Sequence, residues 1–379
     1  MSEFQYLEFQ SIDKPLSTSD RAAVDKLSSR GNVSANRAIF TYSYSDFRHD
    51  VEDVLLNYFD AFLYLSNWGT KRLMLKLPKK LVDYKTIKQY EIEVESDYLN
   101  GLTIYKKSKF IIIDISFTED EAGWWIDEDE SWLSDLKGIR SDLLNEDYRS
   151  LFIIWLHAIR MKHLYEDIAV DFTIAQKMIP GNLKKLNPSL KTLIDFFEVD
   201  MNWINGISKY SKEIKKSSNT HLIPNLLASV KDDYLLRLIN GESNLAIKLT
   251  KELEHLEPKS GKKTSTKLAQ IPLEALLKDV EQVLQKEKGK KKKAYALKMK
   301  QRFKNQAKIK DRIQYNILKA TSKSYEEAVK EMLELQAAAN HLNEEEQFEE
   351  YVNSLTNTYS RRSGLIRRLR DKKLVAIKK

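Results

Sequence analysis

Four acidic residues are the candidates for metal chemistry. Asp114 follows the apolar residues 110–113, and Glu119, Asp120 and Glu121 come a few positions later. Clustered carboxylate oxygens are ligands that Mg²⁺ and Ca²⁺ prefer in proteins. The cluster lacks the ligand spacing and the glycine turn of an EF-hand, so a solvated acidic loop is the competing interpretation. A metal-dependent enzyme with an acidic site at the end of an N-terminal sheet is therefore the alternative function.

Other enzyme chemistry is not indicated. The chain has no cysteine, which excludes disulfide-linked partners, thiol nucleophiles, iron–sulfur clusters and cysteine zinc sites. His157 and His163 are six residues apart, whereas metal ligands on one helix face need a spacing of three or four. The sequence contains no dinucleotide-binding, P-loop, serine-hydrolase or zinc-protease motif. We predict no cofactor and favour a non-catalytic role.

Three tryptophans lie in or beside the most acidic part of the chain. Trp124 and Trp125 fall between the acidic residues 119–121 and 127–130, and Trp132 follows them. Exposed aromatic side chains often anchor protein interfaces, so these tryptophans could dock a basic partner. Packing in a core or at a hinge is the other interpretation, since tryptophan is highly buried on average.

The positive charge of the chain is concentrated towards its C-terminal end. The formal net charge is +8. Residues 286–312 contain 13 Lys and Arg against two acids, a net charge of +11, and residues 360–379 contain nine against one, a net charge of +8. The rest of the sequence therefore has a net charge of −11. The chain is an acidic body that carries two basic segments.

These basic segments are the strongest indication of a function. Rows of Lys and Arg with Tyr295 and Phe303 between them could neutralise the phosphates of a nucleic acid, or contact an acidic protein. The competing interpretation is a solvated helix face, because an apolar stripe through Met299 and Phe303 would be buried in a bundle. The candidate polyanion-binding residues are Lys290, Lys291, Lys292, Lys293, Lys298, Lys300, Arg302, Lys304, Arg361, Arg362, Arg367 and Arg368.

The N-terminal part of the chain predicts an α+β fold. Aromatic residues alternate with Thr and Ser over residues 40–44, and leucines alternate with Arg, Met and Lys over residues 72–77, as is typical of strands. A hairpin is predicted within residues 104–113. Residues 67–69 are expected to form a tight turn between strands, with Trp68 packed on the sheet. Five or more strands with two or three helices indicate one mixed or antiparallel sheet, covered on one side.

After this part the apolar residues change to helical spacing. The apolar run 151–156 predicts a central helix, which Asp147 can cap. Asn187 before Pro188 is typical of a helix start. Asn240 followed by glycine predicts a helix end.

Helical patterns also fill the C-terminal part. Pro272 begins a helix whose apolar spacing is interrupted near Gly289 and then resumes. Ser324 with a glutamate three residues later predicts a helix cap. The helix that follows is joined to another by residues 340–343, which predicts a helical hairpin.

Composition divides the chain into four parts. Residues 1–118 are predicted to form an α+β domain. Residues 119–256 are predicted to form an acidic loop and a helical domain, which packs on the α+β domain. Residues 257–271 have the composition of an exposed linker, and residues 272–379 are a basic helical module.

Two stretches resemble known families. Residues 59–78, with 3–10 and 13–16, resemble a family of bacterial conserved proteins of unknown function. Residues 325–329 through 361–369 are similar to the C-terminal helical hairpin of bacterial SWIM zinc-finger proteins. The zinc motif of those proteins needs cysteines, so metal binding is not implied here. The first of these resemblances, to the family of unknown function, implies a bacterial, intracellular protein and brings no known activity.

Together these patterns predict a bacterial cytoplasmic protein that binds a macromolecule or acts as an adaptor. The longest apolar run is far shorter than the roughly 20 residues that cross a bilayer, so no membrane partner is expected. The residues Met1, Ser2, Glu3 and Phe4 lack the basic and apolar pattern of a secretory leader. The partner is expected to be a nucleic acid or an acidic protein, and the oligomeric state is left open.

Overall fold

The computed structural model describes residues 3–96, 99–118, 132–165, 179–214, 219–256 and 273–375. The chain divides into two compact units, Met1–Glu281 and Gln282–Lys379. The first unit contains a large sheet with helices on both faces, and the second is built from helices. The predicted linker 257–271 lies outside the described residues.

Eight strands of the described residues form one sheet in the first unit. They are β1 (Phe4–Gln10), β2 (Gly31–Val33), β3 (Arg37–Ser43), β4 (Ala61–Ser66), β5 (Thr70–Pro78), β6 (Ile92–Ser96), β7 (Leu99–Lys107) and β8 (Phe110–Thr118). Their order across the sheet is β2-β3-β1-β4-β5-β8-β7-β6, and every neighbouring pair is antiparallel. An antiparallel sheet followed by helices confirms the predicted α+β class.

The predicted strand turns are present. Gly69 has φ 96° in the turn between β4 and β5, and Ser108 has φ 53° in the turn between β7 and β8. A positive φ at a turn is most easily adopted by glycine, which explains the residue choice at position 69. Trp68 was expected on the sheet but is 41% exposed. It occupies the tip of the turn, beyond the last paired residues Leu65 and Lys71.

Between β1 and residue 272, the described residues of the first unit contain nine α-helices. They are α1 (Thr18–Asp25), α2 (Val51–Tyr58), α3 (Tyr84–Lys88), α4 (Trp132–Leu144), α5 (Arg149–Tyr165), α6 (Pro188–Phe196), α7 (Met201–Ile207), α8 (Ala228–Ile239) and α9 (Leu245–Leu256). Short 3₁₀ turns cover Lys79–Leu81, Ser208–Tyr210 and Asn219–Asn225.

The sheet has a hydrophobic core on each face, so the prediction that it is covered on one side is wrong. On one face, residues such as Leu63 and Ile113 pack with α4 to α7. On the other, Phe9 and Phe62 pack with α1 and α2. Strands that bury both faces carry apolar residues at successive positions, as β4 does. The second face is covered only in part, and its remainder forms the polar cleft described below.

Helix α5 lies at the centre of the larger core, as the sequence predicts. Its residues 151–156 are all fully buried. Asp147 lies just before the helix and accepts a hydrogen bond from the Arg149 backbone N–H at 3.3 Å. Every side of the helix contacts protein over residues 151–156. This explains why the sequence has no polar face there.

Other helix ends also follow local signals. Asn187 caps α6 by accepting a hydrogen bond from the Leu190 N–H at 2.9 Å, and Pro188 occupies the first turn. Helix α8 ends at Ile239, and Gly241 beyond it has φ 66°. Both predicted boundaries are confirmed.

The second unit contains the C-terminal part of α10 and four further helices among the described residues. They are α10 (Leu273–Lys304), α11 (Gln306–Lys319), α12 (Ser322–Leu342), α13 (Glu345–Thr358) and α14 (Ser363–Asp371). Helix α10 runs without interruption through Gly289, where the apolar spacing of the sequence lapses. One glycine costs a helix only about 1 kcal/mol relative to alanine, and the lysines beside it are good helix formers.

The core of the second unit is formed by α11 to α14. Ile313, Met332 and Leu365 are among its fully buried residues. Helix α12 begins a turn earlier than predicted, because the Thr321 hydroxyl accepts from the Ser324 N–H and the Ser324 side chain accepts from the Thr321 N–H. The cap is thus Thr321, and Ser324 is its partner in the capping box. Asn343, with φ 57°, ends α12 before α13, as the predicted hairpin requires.

Candidate functional site

One face of α10 carries a row of five lysines in the second unit. Lys286, Lys290, Lys293, Lys300 and Lys304 are spaced by three, four or seven residues, which places them on one side of a helix. At 1.5 Å per residue the row is about 27 Å long. All five side chains are exposed, and none forms an ion pair or hydrogen bond within the described part of the chain. We call this set the α10 lysine row.

The opposite side of this helix supplies the apolar contacts. Met299 is buried, and Phe303 packs against the core of the second unit. This packing of Phe303, which is partly buried, matches the competing interpretation of an apolar stripe in a bundle. Tyr295 is half exposed and lies edge-to-face with His341, with ring centroids 5.5 Å apart. The lysines and the buried stripe thus occupy different faces of one helix.

The remaining predicted α10 residues differ in their surroundings. Lys292 and Lys298 are exposed, and the side chain of Lys291 lies outside the described residues. Arg302 forms an ion pair with Glu334 of α12. The row is therefore made of lysines, whereas the arginine in the same segment is held by the bundle.

The four predicted C-terminal arginines divide into two pairs. Arg362 donates to the backbone carbonyl of Ile317, and Arg368 donates to Glu326 at 3.2 Å, so both tie α14 to neighbouring helices. Arg361 and Arg367 are exposed and form no ion pair with the described residues. The second pair therefore has no internal partner among the described residues.

A concave notch lies between the end of α10 and the start of α11. Its volume is about 350 Å³. The lining residues are Lys298, Gln301, Arg302, Asn305, Lys308, Ile309 and Arg312. We call this surface the α10–α11 notch.

The acidic metal candidate is occupied by an internal partner. Arg72 of β5 donates to Asp114 of β8 through both Nε and Nη2, at 2.9 and 2.6 Å. This hydrogen bond raises the pKa of Arg72. Glu119, Asp120 and Glu121 lie outside the described residues. Within the described residues, no group of three or more histidines and acids is placed to hold a metal ion.

The Arg72–Asp114 pair lies on the floor of a polar cleft in the first unit. The cleft has a volume of about 660 Å³ and crosses the uncovered part of the sheet. Tyr64 donates to the Gln5 side chain at 3.1 Å, and burial raises the pKa of Tyr64 to about 12. Gln5 in turn donates to Asp46 at 2.6 Å. Sequence reasoning missed these groups, although the alternation of Gln5 and Tyr64 with core residues along β1 and β4 is a signal that marks them.

The predicted tryptophan docking surface is only partly described. Trp124 and Trp125 lie outside the described residues. Trp132 begins α4 and packs against Phe196, with ring centroids 5.6 Å apart, beside the larger core. Trp132 therefore matches the packing interpretation.

His157 is a core residue. Its side chain is fully buried in α5, its ring lies edge-to-face with Phe117 at 4.7 Å, and neither ring nitrogen has a hydrogen-bond partner within the described chain. Burial lowers its pKa to about 3, with smaller contributions from Arg160 and Lys71. His157 is therefore neutral at physiological pH.

An exposed apolar patch was not predicted. Leu227, Leu235, Leu236, Leu238 and Ile239, in or beside α8, are between 58% and 80% exposed. Exposed apolar patches of this kind often mark interaction surfaces.

Comparison with protein-family models, curated proteins and solved structures finds no match to this chain, so the family resemblances stay predictions. Among the described residues, no helix is both long enough and apolar enough to span a bilayer.

Proposed function

We propose that this protein is a non-catalytic adaptor that contacts the phosphate backbone of a nucleic acid through the α10 lysine row. The observation that carries the proposal is the row itself: five exposed lysines on one helix face, none neutralised by a described residue. The proposal places the protein in the cytoplasm, where nucleic acid is accessible.

The chemistry of the row favours phosphate contact without base recognition. Lysine is a compact point charge on a flexible stem, which suits phosphates of varied position. Glu287 is the single acid within residues 286–304, so little of the positive charge is cancelled along the helix. Binding of this kind releases counterions and depends strongly on salt.

The acidic protein partner that the sequence also allows lacks the same support. Arginine forks match carboxylates in a bidentate geometry, but the charges of Arg302 and Arg312 are already offset by one glutamate each in the second unit. The exposed cations that remain on α10 are lysines. The closely spaced phosphate charges of a nucleic acid are the better match for a row of lysines.

The test is binding of the full-length protein to a fluorescent oligonucleotide, single-stranded and duplex, measured by anisotropy at low salt. The Lys290→Gln, Lys293→Gln double variant is expected to weaken binding roughly 10- to 100-fold. The matched control is the Lys323→Gln, Lys330→Gln variant, which removes the same charge from exposed positions of α12.

Equal losses in both variants would mean that only net charge matters, and would contradict a defined row. If the wild type binds no oligonucleotide but binds poly-glutamate, the partner is an acidic protein and the proposal fails.

A further inference from the structure

The α10–α11 notch differs from the lysine row in shape and in chemistry. It is concave, whereas the row is a ridge along a helix. Four cations and two side-chain amides line it together with Ile309, and no acidic side chain is among the described residues that line it. A concave surface surrounds a small anion with donors, which a ridge does not do.

Two cations of the notch are held in place. Arg312 Nε donates to Glu331 at 3.0 Å, and Arg302 pairs with Glu334, both acids being on α12. A guanidinium has five N–H donors, so one carboxylate contact leaves donors for a ligand. The glutamates thus restrict these side chains before any ligand arrives, which lowers the entropic cost of binding.

The other two cations supply the net charge. Lys298 and Lys308 are exposed, and neither has an ion-pair partner in the described chain. Because each arginine is paired with one glutamate, the two lysines leave the notch with a net charge of about +2. A negatively charged phosphate group would match the sign of this charge.

We infer that the α10–α11 notch is a phosphate-binding pocket that seats one phosphate group of the nucleic acid. The inference rests on the proposed function only for the source of the phosphate. The arginine forks and the lysine ammonium groups donate to several phosphate oxygens at once, and the amides of Gln301 and Asn305 add neutral donors. A notch of about 350 Å³ holds such a group with room for water.

The test is titration of inorganic phosphate into the full-length protein by isothermal titration calorimetry, with chloride keeping the ionic strength constant. The wild type should show saturable binding to one site. The Lys298→Gln, Lys308→Gln variant should weaken it roughly tenfold or more, since two charge-assisted hydrogen bonds are lost. The control variants at Lys323 and Lys330, and the row variant at Lys290 and Lys293, should bind phosphate as the wild type does. Unchanged melting temperatures verify that all variants fold.

Absence of saturable phosphate binding in the wild type would overturn the inference. An equal loss in the Lys323 and Lys330 control would do the same, because the effect would then come from net charge. Both results leave the proposed function intact if the oligonucleotide still binds through the lysine row. Phosphate binding without oligonucleotide binding would support the pocket and contradict the proposed function.

Discussion

Arg72 and Asp114 form a bidentate ion pair between neighbouring strands of the sheet, with Nε–Oδ1 and Nη2–Oδ2 distances of 2.9 and 2.6 Å. In the β5–β8 register, Asp114 lies opposite Met74, so the pair is a diagonal contact on one face. The two side chains close the floor of the polar cleft in the first unit.

Asp114→Ala should destabilise the first unit by roughly 1–3 kcal/mol, because it leaves a half-buried guanidinium without its acceptor. Replacing both residues, as in Arg72→Met with Asp114→Leu, should recover most of the loss. Urea unfolding followed by tryptophan fluorescence measures this, since all six tryptophans lie in the first unit.

The Arg72–Asp114 ion pair also determines how the melting temperature should respond to Mg²⁺. Both Asp114 oxygens accept from Arg72, so any shift of the melting temperature caused by Mg²⁺ or a chelator should be the same in wild type and in Asp114→Asn. A metal-dependent stabilisation that Asp114→Asn abolishes would restore the enzyme hypothesis.

A second ion pair is buried more deeply. Arg140 is almost fully buried and donates to Asp13 through two nitrogens, at 2.6 and 2.8 Å, and to the Lys76 carbonyl at 2.8 Å. Arg140→Met should destabilise the first unit by about 3 kcal/mol or more, because Asp13 and the Lys76 carbonyl lose the hydrogen bonds that Arg140 donates. Lys185→Gln is the control, since its pair with Glu213 is mostly exposed, and it should leave stability nearly unchanged.

Two glycines in helices should respond in opposite directions to alanine. A Cβ at Gly138 of α4 would lie 2.2 Å from the Ser189 hydroxyl of α6, whereas a Cβ at Gly289 of α10 would meet nothing within 4 Å. Gly138→Ala should therefore destabilise by roughly 1–3 kcal/mol. Gly289→Ala should stabilise its helix by about 0.5–1 kcal/mol. Thermal unfolding by circular dichroism checks both, and destabilisation by Gly289→Ala would contradict the continuous α10.

The buried His157 should make the free energy of unfolding depend on pH. Its ordinary pKa is 6.5, and burial lowers it to about 3 in the folded chain. Between these values the unfolded chain binds a proton that the folded chain does not, so stability falls as pH falls from about 6.5 towards 3. The contribution is at most about 1.4 kcal/mol per pH unit. His157→Leu should remove this slope and leave stability above pH 7 unchanged or higher, as urea unfolding across pH would reveal.

Local features of the fold were predictable, and long-range pairings were not. The Asn187 cap and the turn at Gly69 depend on neighbours in sequence, so the sequence indicates them directly. The Arg72–Asp114 pair depends on strand register across 42 residues, and the Arg302–Glu334 pair on how α12 packs. The spacing of the residues was enough to place the basic side chains on α10. The packed bundle was needed to show that the row lysines have no described partner, whereas Arg302 forms an ion pair with Glu334.

The central claim is that the α10 lysine row binds nucleic-acid phosphates. Its most direct test is the slope of log K against log salt for an oligonucleotide and the full-length protein. Five phosphate contacts predict a slope of about −3.5 for a single strand and about −4.5 for a duplex. The Lys290→Gln, Lys293→Gln variant should make the slope shallower by about 1.4–1.8. A slope near zero, or one that the variant leaves unchanged, would contradict the claim.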